Sequence, residues 1–139
     1  MNYDVMGWEE CTAEFIRKVE LDPVKVTSIV SMALRRRAFA QSITATKDTV
    51  HFVFDAYYEV VKELLTALLL RHGMRSRNHQ CLFTFFDKEY KSERHTTLLK
   101  QMNFLRNRLN YYGEEIDLVY FTQNYKRFEE LIDFIVGKI

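Results

Sequence analysis

This chain has little of what turns, sheets and metal sites are made from. One proline and four glycines stand in 139 residues, too few for the turns of a many-stranded fold. The glycines are isolated, so no glycine-rich phosphate loop is present. The two cysteines, Cys11 and Cys81, lack C-x-x-C spacing. That pattern suits two small buried hydrophobes in a reducing cytosol, with no disulfide or metal staple needed. His51, His72, His79 and His95 show no i,i+3 or i,i+4 pairing and no flanking carboxylate cluster, so neither a metal nor a cofactor is expected. Nothing local pairs a serine or cysteine nucleophile with a histidine. The densest apolar run, Leu64 to Leu70, follows Lys62 and Glu63 and is too short to span a bilayer. A cytoplasmic chain with no membrane partner is the expectation.

What is present is apolar and helix-forming. At 47% hydrophobic and 28% charged residues, the chain fits a single domain over 1–139 that buries most of its unfolded surface. The net charge of +1 is unevenly spread: residues 1–70 carry −2, residues 71–108 carry +6 and residues 109–139 carry −3. A basic middle third either solvates a helix surface or attracts a polyanion over a Debye length of roughly 8 Å.

Apolar spacing predicts an all-α, up-and-down bundle of four long helices plus one or two shorter ones. An extra N-terminal helix is expected at about 7–21, inside residues 1–22, with Trp8, Cys11, Phe15 and Val19 on one face. Asp22 and Pro23 then stop and restart the chain, Asp as N-cap and Pro at the first helical position. The next helix, 23–45, carries Arg35, Arg36 and Arg37, which splay over about 200°. At least one of them must lie near the apolar face, as a snorkelling side chain or as part of a basic wall. The segment Val50 to His72 is apolar over most of its circumference, which marks the central helix, and Gly73 is its expected left-handed cap. A loop, "GMRSRNHQ", a short helix around Cys81 to Phe86 and a basic connector, Lys88 to His95, are expected to follow. The last helix is expected at about 117–136.

The stretch "LRNRLNYYGEE", residues 105–115, falls on the helix between them. Leu98, Met102, Leu105, Leu109 and Tyr112 share a core face, and Asn103, Arg106, Asn107 and Asn110 form a second stripe beside it. Asparagine is a poor helix former, so three on one face cost stability without a packing gain. Arginine forks and asparagine amides suit phosphate oxygens and base edges, and Tyr111 and Tyr112 can stack on bases. Equally, Arg106 can bond a neighbouring helix end, with the tyrosines in the core and their hydroxyls in water.

Three ordered pieces, "YYEVVKELLTALL" at 57–69, "HGMRSRNH" at 72–79 and "LRNRLNYYG" at 105–113, resemble the HEPN superfamily, particularly its small stand-alone prokaryotic members. The likeness runs over roughly residues 25–136. It implies a helical homodimer in which arginine-bearing helices of two subunits face each other across a cleft. In active members an arginine and a following polar residue act with a later histidine to cleave RNA without metal, the 2′-hydroxyl attacking the adjacent phosphate. Arg106 and Asn107 match the start of that motif. Where the histidine belongs, Asn110, Tyr111 and Tyr112 stand instead, and no histidine follows. Tyrosine, with a pKa near 10, is a poor base at neutral pH, whereas binding survives the loss.

The resemblance therefore implies a nucleotide- or RNA-binding interaction module, with Asn103, Arg106, Asn107, Asn110, Tyr111, Tyr112 and His79 as binding residues. Other stand-alone members pair with a small nucleotidyltransferase in two-component, toxin–antitoxin-like systems, and such a partner is implied here. The alternative is a weak metal-independent endoribonuclease with Arg106, Asn107 and Tyr111 as catalytic residues. There a tyrosine or asparagine stands in for the family histidine, and His79 or His95 reaching the cleft from another helix is a further option.

Overall fold

The computed structural model describes residues 5–139. Its elements run α1 (Trp8–Glu14), β1 (Ile16–Lys18), α2 (Pro23–Ser42), α3 (Val50–Arg71), β2 (Met74–Ser76), α4 (His79–Tyr90), α5 (Glu93–Tyr112) and α6 (Leu118–Val136). The architecture is an all-α bundle with one two-stranded ribbon.

Helix α3 is the axis of the molecule, in contact with α2, α4, α5, α6 and β2. Phe54, Leu64, Leu65, Leu68 and Leu69 on it are fully buried, as its near-continuous apolar surface predicts. Each such side chain contributes about 1.5–3 kcal/mol of transfer free energy. Helix α2 lies along α3 through a narrow seam, Val26, Ala33 and Ala40, buried at seven-residue intervals. The two alanines let the helix axes approach closely, and the rest of α2 stays largely exposed.

Local signals set most boundaries. Asp22 accepts a hydrogen bond from the Lys25 backbone N–H at 3.0 Å with Pro23 at the first position, as expected. Gly73 (φ +75°) and Gly113 (φ +65°) end α3 and α5 in the left-handed region.

Three expectations near the termini of elements are corrected. The N-terminal helix stops at Glu14 rather than 21, and residues 16–18 pair antiparallel with 74–76 in the register Ile16↔Ser76, Arg17↔Arg75, Lys18↔Met74. The supposed loop after Gly73 is thus a strand. A ribbon this short draws its stability from a partner distant in sequence, which helical periodicity cannot reveal. The basic connector is also shorter than expected: Lys88 belongs to α4 and His95 to α5, with Lys91 (φ 48°) and Ser92 between.

The cysteines are buried, as expected, but they are not free. Cys11 and Cys81 form a disulfide across a sequence separation of 70, tying α1 to α4. Trp8 packs on Phe85 at 5.9 Å beside it. Among the described residues no helix is long and apolar enough to cross a membrane.

Candidate functional site

Asp55, Tyr58, Glu59 and Lys62 occupy one face of α3, at offsets of three, four and seven from Asp55. Polar residues are out of place on so apolar a helix, and Tyr58, Glu59 and Lys62 each meet a polar partner. The Tyr58 hydroxyl donates to Asn103 Oδ1 of α5 at 3.1 Å. The Arg106 guanidinium, one turn further along α5, lies over the Tyr58 ring with its carbon 5.2 Å from the centroid. Glu59 bonds Lys62 at 2.7 Å through one oxygen, and its other oxygen stands 4.0 Å from Arg106 Nη2. From the first turn of α4, His79 is close enough for the charges of Lys62, Arg106 and Glu59 to act on it.

Two hydrogen-bonding atoms in this cluster are buried without a partner among the described residues: Arg106 Nε and Asp55 Oδ1. Arg106 is only 18% exposed at its side chain. A buried donor left unmet costs about 1–3 kcal/mol, and the described residues supply no acceptor for this one.

The titrations follow from the same geometry. Burial pushes the Tyr58 phenol up to about 12, with Arg106 opposing, so it remains a neutral donor at physiological pH. Burial, then the Lys62 and Arg106 cations, hold His79 below the usual imidazole value against the pull of Glu59. His79 is therefore neutral near pH 7, with one unprotonated ring nitrogen.

Of the residues singled out from the sequence, Asn103, Arg106 and His79 are brought together. Asn103 Oδ1 is engaged within its own chain, by the Tyr58 hydroxyl. Asn107 is half-buried, Asn110 is exposed, and Tyr111 and Tyr112 are 70% and 71% exposed at the end of α5. Arg108 lies 5.4 Å from the Tyr112 ring and is paired with Glu114, an exposed bridge that contributes little to stability. The other histidines have structural partners. His51 Nδ1 accepts the Ile116 N–H at 2.9 Å, His72 packs on Phe85 at 5.2 Å, and His95 is buried between Ser92, Arg94 and Phe134.

Tyr58, Glu59 and Lys62 are members of this cluster that sequence reasoning did not place in the site. Their signal was a polar i,i+1,i+4 group inside the most apolar segment of the chain. Among the described residues no three His, Cys, Asp or Glu side chains are grouped to hold a metal ion.

The arrangement offers two cations, one with an unfilled donor, a neutral imidazole and exposed tyrosines on a neighbouring turn. These are groups that bind a phosphate and stack on a base. No family model, curated protein or solved structure matches the chain.

Proposed function

We propose that this chain is a HEPN-like interaction module that binds RNA or a nucleotide as a homodimer, in a two-component, toxin–antitoxin-like system with a small nucleotidyltransferase. The observation that carries the reading is the buried, unpartnered Nε of Arg106 beside Glu59, Lys62 and His79. A phosphate oxygen is the acceptor this guanidinium lacks, reached when the side chain turns out of its buried position, and the exposed Tyr111 and Tyr112 lie one to two turns along the same helix to receive a base. An all-α bundle is what the resemblance implies, and Arg106 lies on α5. A second copy would add a second set of exposed Asn110 and Tyr111 groups to one cleft.

This reading puts the chain in the cytoplasm. There the Cys11–Cys81 bond depends on its burial, since neither residue has exposed surface for a reductant to reach.

The test is fluorescence anisotropy with a labelled single-stranded RNA and, separately, a labelled adenine nucleotide, alongside light scattering for the mass in solution. Affinity should fall steeply between about 50 and 200 mM salt, and Arg106→Ala should weaken it at least about tenfold. Absence of binding to both ligands, or a monomer at every concentration, overturns the proposal.

His79 favours a second reading, a metal-independent ribonuclease. Neutral near pH 7 and beside Arg106, it would take the 2′-hydroxyl proton as that oxygen attacks phosphorus, while Arg106 stabilises the added charge and the 5′-oxygen leaves with a proton. Purified protein in EDTA should then cleave labelled RNA, and His79→Ala and Arg106→Ala should both abolish cleavage. Undiminished cleavage by either variant points to a contaminating nuclease.

A further inference from the structure

On the opposite side of α3 from Arg106, a second polar constellation borders an open cavity of about 600 Å³. Nothing in the RNA reading uses it. Its floor is apolar: Ala40, Ile43 and Val53. One wall is aromatic, where Phe121 and Tyr125 of α6 stack at 5.9 Å with 21° between planes. Tyr125 keeps 36% of its surface exposed. The volume falls within the roughly 300–1,000 Å³ typical of small-molecule sites.

The remaining wall decides the charge of the occupant. Glu129 of α6 is a saturated acceptor: it takes the Tyr57 hydroxyl, the Arg37 Nε at 2.7 Å, and the Gln41 amide on both oxygens at 3.0 and 3.1 Å. Arg37 spends its other terminal nitrogen on Asp133 Oδ1 at 2.8 Å. Its guanidinium is thus neutralised twice over and has little left for an anion. Asp133 is the opposite case. Its side chain is 67% exposed, and among the described residues its second oxygen accepts no hydrogen bond. Two carboxylates against one guanidinium leave the wall with one surplus negative charge, beside ring faces that attract cations.

We propose that this cavity binds a small organic cation, an ammonium carried on an apolar or aromatic body. The body lies on the apolar floor against Phe121 and Tyr125, and the ammonium bonds the free oxygen of Asp133. An anion would meet the carboxylates first, and a fully polar ligand would leave the floor unfilled. Because α2, α3 and α6 all contribute to the wall, an occupant joins three helices and stabilises their packing.

The probe is 2-phenylethylamine, titrated at neutral pH into isotopically labelled full-length protein and followed by two-dimensional NMR, with phenylacetate and 2-phenylethanol as anionic and neutral counterparts of the same body. The amine should saturate, its shifts should concentrate on α2, α3 and α6, and both counterparts should bind at least about tenfold more weakly. Asp133→Asn, at a largely exposed position, should weaken the amine about tenfold, and Tyr125→Ala should weaken it severalfold. Phenylacetate binding as tightly as the amine, non-saturating shifts, or an Asp133→Asn variant with unchanged affinity each overturns the proposal. The wild-type comparison of the three ligands stands even where a variant fails to fold.

Discussion

Tyr57 and Tyr58 are adjacent in α3 and both buried, yet a rotation of about 100° per residue sends their hydroxyls to opposite walls of the bundle. Tyr57 donates to a carboxylate, Glu129, in a network where Arg37 has its donors filled. Tyr58 donates to an amide, Asn103, in a network where Arg106 has a buried donor unmet. One wall is a closed clamp with a spare carboxylate oxygen at its rim, and the other is an arginine awaiting an acceptor. The sign of the charge each wall can receive follows from which partner is already saturated, not from residue type, since both contain a tyrosine, an arginine and acidic groups.

Perturbing the two walls should therefore give opposite phenotypes. The largest effect on stability belongs to Glu129→Ala, which strands Arg37, Gln41 and the Tyr57 hydroxyl at once. It should cost about 3 kcal/mol, read as a lowered urea midpoint. A loss under about 0.5 kcal/mol would mean the clamp is ornamental. Arg106→Ala should do the reverse, leaving the unfolding free energy within about 1 kcal/mol of wild type while RNA or nucleotide affinity drops at least about tenfold.

The tyrosine pair gives a finer comparison. Tyr57→Phe removes a bond to a charged acceptor and should cost about 1.5–3 kcal/mol, whereas Tyr58→Phe removes a neutral one and should cost about 1 kcal/mol. Equal losses would erase the distinction between the walls.

The smallest effects are in pH. The Tyr58 phenol is raised from 10.0 to about 12, and burial and Glu129 also raise Tyr57. Above pH 10 the unfolded chain gives up these protons first, so stability should fall as pH rises, and less steeply in either phenylalanine variant. At the acid end, burial and Arg94 lower His95 from 6.5. The unfolded chain then binds the proton first, so stability should be lost as pH falls below 6.5. Urea midpoints at about pH 5 and about pH 7.5 check the sign, and a midpoint that rises on acidification contradicts it.

Part of the candidate cluster is legible in the sequence. Arg106 and Asn103 stood out as costly residues beside a leucine seam, and His79 lay in a motif on a different helix. That one of three successive arginines must lie near the apolar face was also evident, and Arg37 is that one, with 18% of its side chain exposed against 42% for Arg36. Its partner was not evident, because Glu129 is 92 residues away and carries no local mark. The polar group Tyr58, Glu59 and Lys62 was hidden for a different reason: periodicity reads a helix this apolar as core and has no term for what its few polar residues meet.

The sequence by itself determined the long helices, the caps at Asp22, Gly73 and Gly113 and the central position of α3, since hydrogen-bond rings, glycine φ angles and apolar spacing act within a few residues of chain. Only the tertiary structure decided that Cys11 meets Cys81, that residues 16–18 pair with 74–76, and that Arg37 is quenched while Arg106 is not. Those outcomes depend on which distant side chain arrives at each point in space. No local pattern encodes that arrival.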